Sequence, residues 1–135
     1  MAKIFVLKAG SSIPDEILEI AKRERVKTAR VEAIGTVNRL RLAYFDHVSK
    51  KYEEHQFEEQ LEVTGLLGNI TQKDGKPFLH AHGTFGRRDM TVIGGHLMSA
   101  TVFPLLEVVI TPTKNTATRR FDREIGLNVI HKIRD

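Results

Sequence analysis

The sequence contains no cysteine, and this absence excludes several classes of chemistry at once. Disulfides, thiolate catalysis, iron–sulfur clusters and every zinc site built on cysteine are ruled out. Any bound metal ion must therefore be held by histidine and carboxylate side chains, and the chain has 6 histidines.

Long hydrophobic segments are also missing. The longest stretch rich in apolar residues, Thr101–Ile110, contains Pro104 and Glu107 and is too short to cross a bilayer. Near the N-terminus, Ile4–Leu7 is an apolar run shorter than the hydrophobic region of a signal peptide. We therefore expect a cytoplasmic protein without a membrane partner. A length of 135 residues, with no linker or low-complexity tract, predicts one domain over residues 1–135.

The charge is weakly positive, with 21 basic and 17 acidic residues and a net charge of +4. Such a balance permits contact with nucleic acid without requiring it. Lys22–Arg30 is rich in basic residues, whereas Glu53–Glu62 is rich in acidic ones. Both segments are more typical of solvated faces than of binding patches.

Hydrophobic periodicity predicts one helix among several strands. The unbroken run Ile4–Leu7 is typical of a central, fully buried strand. Ser12, Pro14 and Asp15 are typical of a helix start, and the apolar spacing that follows predicts a helix over about residues 13–26. Most of the remaining chain has the two-residue period or the glycine punctuation of strands.

Asp74–Gly75 is the strongest turn signal in the chain. A hairpin centred on this turn places His80 opposite Asn69 and His82 opposite Leu67. This register makes a specific prediction about which side chains are neighbours across the sheet.

His80 and His82 are separated by one residue, so a strand directs both imidazoles to the same face, roughly 6.5 to 7 Å apart at the backbone. His96 follows Gly94–Gly95, where the absence of side chains lets the backbone approach a neighbouring strand and where the glycines favour a break in the chain. The three histidines are candidate ligands of one metal ion with an open coordination position. Two exposed or internally hydrogen-bonded histidines explain the pair His80 and His82 equally well. The other histidines, which we interpret as surface or structural residues, are His47, His55 and His131.

Glutamate and arginine side chains provide further candidates for a chemical role. Glu107 lies in an apolar strand, where it either needs a buried partner or occupies an exposed edge. The pairs Arg87–Arg88 and Arg119–Arg120 are candidate contacts for phosphates or carboxylates, although such pairs more often belong to a solvated face.

Several motifs, taken in order, resemble the signature of the plant-and-prokaryote-conserved (PPC) domain family. The resemblance covers nearly the whole chain and rests on Ala33–Thr36, Leu66–Ile70, Asp74–Pro77, Leu79–His82, Gly94–Leu97, Arg120–Asp122 and Gly126–Leu127. It implies an α+β fold with a largely antiparallel sheet and one main helix, assembled as a homotrimer. In prokaryotic members three histidines form a divalent metal site, usually regarded as zinc, and His80, His82 and His96 match those positions.

The resemblance leaves two functional hypotheses. In the first, which the resemblance favours, the chain is a trimeric binding or regulatory module that the family's usual description associates with DNA; its metal is structural or senses a small ligand, and Lys22–Arg30 contacts phosphates. The chain lacks the Arg-Gly-Arg-Pro core with which plant members enter the minor groove, so binding by that route is not expected.

The second hypothesis is a metal-dependent enzyme, since the acetolactate decarboxylase fold is similar to the PPC fold and carries a three-histidine zinc. Its substrate would be a small oxygen-rich molecule or other anionic ligand at the metal. Glu107 or Arg120 would then handle protons or a substrate carboxylate.

Overall fold

Antiparallel strands dominate the computed structural model, which describes residues 1–135. The elements are β1 (Lys3–Lys8), β2 (Ser12–Ile13), α1 (Asp15–Arg23), β3 (Ala29–Asp46), β4 (Lys51–Phe57), β5 (Leu61–Lys73), β6 (Lys76–Gly86), β7 (Val92–Pro112), β8 (Thr116–Asp122) and β9 (Leu127–Arg134). This architecture confirms the expected α+β fold with a largely antiparallel sheet and one helix.

The strand pairing closes on itself. β3 pairs with β5 and with β7, β5 pairs with β6, and β6 pairs with the beginning of β7. β3 has 18 residues and β7 has 21, so each is long enough to bend at its register shifts and to pair with different strands along its length. These pairings join β3, β5, β6 and β7 in a closed circuit. The β8–β9 hairpin joins the end of β5 through a short parallel pairing.

Residues that face the inside of this circuit form one core cluster of 23 buried side chains. The two-residue period of the strands explains the selection, because alternate residues point inward. The helix adds Ile17, Ile20 and Ala21 to the cluster and packs against β2 and β6. The inside of the circuit is therefore filled with side chains, so a binding site must lie on its outer surface.

The helix is shorter than the predicted span of residues 13–26. Ser12 and Ile13 pair with Thr101 and Ala100 of β7, so their backbone is extended and the helix begins only at Asp15. Its end is set by Arg25, whose φ of 55° is left-handed. With nine residues, α1 is far too short to span a membrane, and no other helix is present.

The prediction that Ile4–Leu7 forms a central, fully buried strand is wrong. β1 pairs only with β7 and is an edge strand, with Ile4 72% and Val6 60% exposed. Only alternate residues face the core, and Leu7 is the one that is deeply buried. The outward residues belong to what we call the outer apolar face, which consists of Ile4, Val6, Ile34, Leu67 and Leu105.

Candidate metal centre

Strand geometry brings His80, His82 and His96 together. The predicted hairpin register is confirmed, since His80 pairs with Asn69 and His82 with Leu67. His82 is also directly opposite His96 in the β6–β7 ladder. Cross-strand partners share a face of the sheet, so all three imidazoles stand on the outer surface at one point.

The ring positions match the requirements of a small divalent cation. One nitrogen from each ring lies within 4.8 Å of the others, and the Nε2 atoms of His80 and His82 are 3.2 Å apart. A tetrahedral ion with bonds of 2.0–2.1 Å separates its nitrogen ligands by about 3.3 Å. His80 and His82 already have this spacing, and the three rings would have to draw together from within 4.8 Å to about 3.3 Å to share one ion. The residues present therefore fit the ion.

The glycines before His96 act through close packing. A Cβ atom on Gly94 would lie 3.0 Å from the Gly83 carbonyl oxygen, and one on Gly95 would lie 3.0 Å from that of Ala43. These glycines let β7 pass tightly between β6 and β3, as their small size indicated. The expected break in the chain is absent, because Gly94, Gly95 and His96 all belong to the continuous strand β7.

Burial controls the ionisation of two of the rings. It lowers the pKa of His96 to about 4, with smaller contributions from the charges of His80 and His82. Burial also lowers the pKa of His80, assisted by the Arg119 guanidinium and by His82. Both rings are therefore neutral at pH 7, which is the form that coordinates a metal ion.

Tyr52 on β4 packs against the cluster. Its ring centroid is 4.8 Å from that of His96 and 5.1 Å from that of Phe45, so it supports the His96 ring from the side. Burial raises the pKa of the Tyr52 hydroxyl, although the Arg119 charge opposes this shift. The phenol therefore keeps its proton at neutral pH. Sequence reasoning missed Tyr52, because only the pairing of β3 with β4 brings it to the site.

A cavity of about 420 Å³ adjoins the histidines. The β8–β9 hairpin forms one wall, and β4, β6 and β7 form the others. The lining residues are Tyr52, Phe78, His80, His96, Met98, Arg119, Phe121, Gly126, Leu127 and Asn128. The metal centre therefore opens onto a space of the size of small-molecule sites.

Arg119 is the charged residue of this cavity, and it is almost fully buried. Its Nε donates to Thr71 Oγ1 at 2.8 Å, Nη1 donates to the Asn128 carbonyl at 2.9 Å and Nη2 donates to Asn69 Oδ1 at 2.9 Å. Asn69 is the cross-strand partner of His80, so the guanidinium lies beside a candidate metal ligand.

The structure does not bring Glu107 or Arg120 to the cluster. Glu107 is exposed on the outer surface between Val6 and Ile34. Arg120 is exposed on β8 and does not line the cavity, because successive strand residues point to opposite sides. Sequence reasoning had named the pair Arg119–Arg120 but favoured the outward member for the anion-handling role.

The family model of the Plants and Prokaryotes Conserved (PCC) domain matches residues 2–114 of the chain. The chain belongs to this family. It is the PPC family that the sequence motifs resemble, and the match includes all three histidines. The PCC match ends before β8, so the hairpin that carries Arg119 lies outside it.

Solved structures agree with the PCC assignment. A metal-containing protein from Archaeoglobus fulgidus is 32% identical, with 98% of this chain and 94% of that chain covered and a TM-score of 0.91. A candidate DNA-binding protein from Bacteroides thetaiotaomicron is 28% identical, with 96% and 91% covered and a TM-score of 0.92. Among curated proteins, none matches the sequence significantly.

A more distant likeness concerns the fold alone. α-Acetolactate decarboxylase from Bacillus subtilis superimposes with a TM-score of 0.62 at 16% identity. The aligned region covers 91% of this chain but 57% of the decarboxylase. The PCC fold is therefore shared with a larger enzyme, and shared fold does not by itself transfer the reaction.

Proposed function

We propose that the chain binds one divalent cation, zinc, through His80, His82 and His96, and acts through it as an enzyme on a small oxygen-rich molecule. The observation that carries this proposal is the convergence of three histidine nitrogens within 4.8 Å beside a cavity of about 420 Å³. Three protein ligands leave a coordination position for a substrate, as in catalytic zinc sites. The metal-containing relative from Archaeoglobus fulgidus supports the metal.

The zinc ion and the side chains around it have different roles in this proposal. Zinc with an open position supplies Lewis-acid chemistry, polarising a carbonyl or lowering the pKa of water to about 7. Tyr52 keeps its proton, so its Oη–H can donate a hydrogen bond to a substrate oxygen. The residues that this chain contributes to the cavity lining include no Asp or Glu. Phe78, Met98 and Leu127 provide apolar walls.

Metal analysis of purified, untagged protein tests the centre directly. We expect one zinc per chain in the wild type and a large loss of zinc in His96→Ala. His131→Ala is the matched control, because His131 is exposed on β9 and should leave the metal content unchanged. Wild-type protein that binds no zinc after metal loading, or equal zinc in the His96 and His131 variants, contradicts the proposal.

We also propose self-association as a homotrimer, which the family resemblance implies. The outer apolar face supports it: Val6 and Ile34 flank Glu107 on adjacent strands, and their side chains are 60% and 56% exposed. Exposed apolar side chains clustered on one face, here around the single carboxylate of Glu107, indicate an interaction site. Leu67 extends this face to His82, its cross-strand partner, so the interface would border the metal centre.

Sedimentation equilibrium tests the assembly. A trimer has a mass of about 46 kDa, three times the 15.3 kDa of the chain. We expect Ile34→Asp to shift the protein towards the monomer, because a buried unpaired carboxylate is costly. Val48→Asp is the control, since Val48 is 81% exposed in a turn away from the outer apolar face. A monomeric wild type contradicts the trimer.

DNA binding is the second candidate function. Within Lys22–Arg30, the side chains of Arg23, Arg25 and Lys27 are exposed and form no ion pair, so they are free to contact phosphates. The Bacteroides relative supports this candidate. Three phosphate contacts give a slope of log affinity against log salt of about −2.7. An absence of duplex binding at about 50 mM salt, where electrostatic binding is strong, rules it out.

A further inference from the structure

Arg119 is a buried charge without a charged partner. Its exposed fraction is 7%, and its three hydrogen-bond acceptors, on Thr71, Asn128 and Asn69, are all neutral. None of the ion pairs in the structure includes it. A guanidinium has five N–H donors, so one N–H on each terminal nitrogen is unused.

Burying a guanidinium without a counter-charge is unfavourable. When polar groups hold a guanidinium in such a place, either its position serves a purpose or its anionic partner is missing. The three neutral acceptors fix the orientation of the plane, and the Phe78 ring lies 5.5 Å from the guanidinium carbon. These contacts stabilise the cation only in part, because burial still lowers the pKa of Arg119. The Arg119 guanidinium therefore has no anionic partner within this chain.

The charge of the whole cavity lining is also positive. Its lining contains Arg119 and neutral histidines but no aspartate or glutamate. A divalent cation on three neutral imidazoles would increase the positive charge further. A neutral or cationic ligand would leave this charge uncompensated, whereas an anion with an oxygen that reaches the metal would balance it.

We propose that Arg119 anchors the anionic group of the small molecule that occupies this cavity, with another ligand oxygen directed to the metal centre. The ligand class is a small oxyanion, a carboxylate or a phosphate, since both accept paired hydrogen bonds from a guanidinium. This inference rests on the proposed metal function and adds the substrate class to it. Arg119 is then a binding residue, and the β8–β9 hairpin that carries it is part of the site.

Ligand titrations of cobalt-loaded protein test the anchor without any assay of turnover. Glycolate and glycolamide are the probes, because they have similar shape and differ in charge; binding is followed by the visible cobalt spectrum and by calorimetry. Arg119→Gln should weaken glycolate binding by roughly 10- to 100-fold, the effect of losing a charged hydrogen-bonded partner, and should change glycolamide binding little. Arg120→Gln is the control, because Arg120 is exposed on the same strand.

Inorganic phosphate is titrated in parallel to distinguish the two kinds of oxyanion. A selective loss of glycolate affinity in Arg119→Gln assigns a carboxylate, and a selective loss of phosphate affinity assigns a phosphate. Equal glycolate and phosphate affinities in the wild type and in Arg119→Gln overturn the proposal.

Arg119 also holds neighbouring polar groups, so a second measurement protects the test against a variant that fails to fold. In wild-type protein labelled with ¹⁵N-arginine, glycolate should shift the Nε–H resonance of Arg119, and glycolamide should not. Arg119→Lys, which keeps the positive charge, assigns that resonance. A resonance that neither saturating glycolate nor saturating phosphate moves overturns the proposal.

The metal-free protein separates this inference from the proposed function. If the wild type binds no metal, the metal proposal fails while the resonance of Arg119 still reports anion binding. If metal is bound and neither glycolate affinity nor phosphate affinity depends on Arg119, only the anion anchor fails.

Discussion

A substitution at Gly68 on β5 should displace the candidate metal ligand His80 without replacing that histidine. A Cβ atom at this position would lie 2.3 Å from the carbonyl oxygen of His80 and 2.7 Å from the Cβ of Ala81. Ordinary van der Waals contact begins at 3.4 Å, so β5 and β6 would have to separate by about 1 Å to accept the methyl group. The obstacle is backbone on the facing strand, which cannot rotate away as a side chain would.

We expect Gly68→Ala to lower the free energy of unfolding by about 1–3 kcal/mol, the usual cost of adding a methyl group to a packed interior. For a chain of this length, about 3.5 °C of melting temperature corresponds to each kcal/mol, so the melting temperature should fall by about 4–10 °C. The displacement also moves His80 relative to His96, so zinc affinity should decrease. Calorimetry of the metal-free protein and zinc competition titrations measure the two effects.

Gly65→Ala is the matched control on the same strand. Its added Cβ would have Thr84 Oγ1 at 3.8 Å as its nearest neighbour, so the methyl group fits. Its stability should stay within about 0.5 kcal/mol of the wild type. If Gly68→Ala is as stable as Gly65→Ala and binds zinc equally well, the tight approach of β5 to His80 does not control the site.

Three other predictions concern protons, metal and core. The folded state lowers the pKa of His96 to about 4 and lowers that of His80, so the unfolded chain binds more protons once the pH falls below about 6.5. The melting temperature of metal-free protein should therefore decrease between pH 7 and pH 5, with a smaller decrease in His96→Gln; a flat profile in the wild type refutes this. Zinc at 100 times its dissociation constant should raise the melting temperature by about 9 °C, and a chelator should reverse the shift; no change would mean that folding does not form the site. Phe85→Ala should cost about 3–5 kcal/mol in denaturant unfolding, because Phe85 is 1% exposed in the core, whereas Tyr44→Ala, 66% exposed, should cost little; similar costs refute the assignment.

Some properties of the candidate site follow from sequence alone. The Asp74–Gly75 turn sets the register of β5 and β6, and the two-residue period of a strand puts His80 and His82 on one face. Turn chemistry and strand periodicity act between residues close in the chain, so they are readable without a structure. The ordered motifs further indicated the family, which the PCC match over residues 2–114 establishes.

The boundaries of the elements needed the structure. Ile4–Leu7 has the composition of a central strand, yet β1 has a partner on one side only, and pairing on the other side is not encoded in those four residues. The helix start is displaced in the same way, because Ser12 and Ile13 pair with β7, almost 90 residues further along the chain. Long-range pairing overrides local preference in both cases.

The cavity is the clearest product of tertiary structure. Arg119 and Arg120 are neighbours in sequence and have the same chemistry, so nothing local distinguishes the buried guanidinium from the exposed one. The distinction comes from the parallel pairing of Lys73 with Arg119, which turns the Arg119 side chain towards Asn69 and Thr71. Tyr52 reaches His96 only because β4 pairs with β3. The sequence by itself thus determined the residue types, the hairpin and the shared face of two histidines, because those depend on short-range geometry. The third histidine's approach, the buried cation and the walls of the cavity were decided only when distant strands met, because a strand does not encode its neighbour.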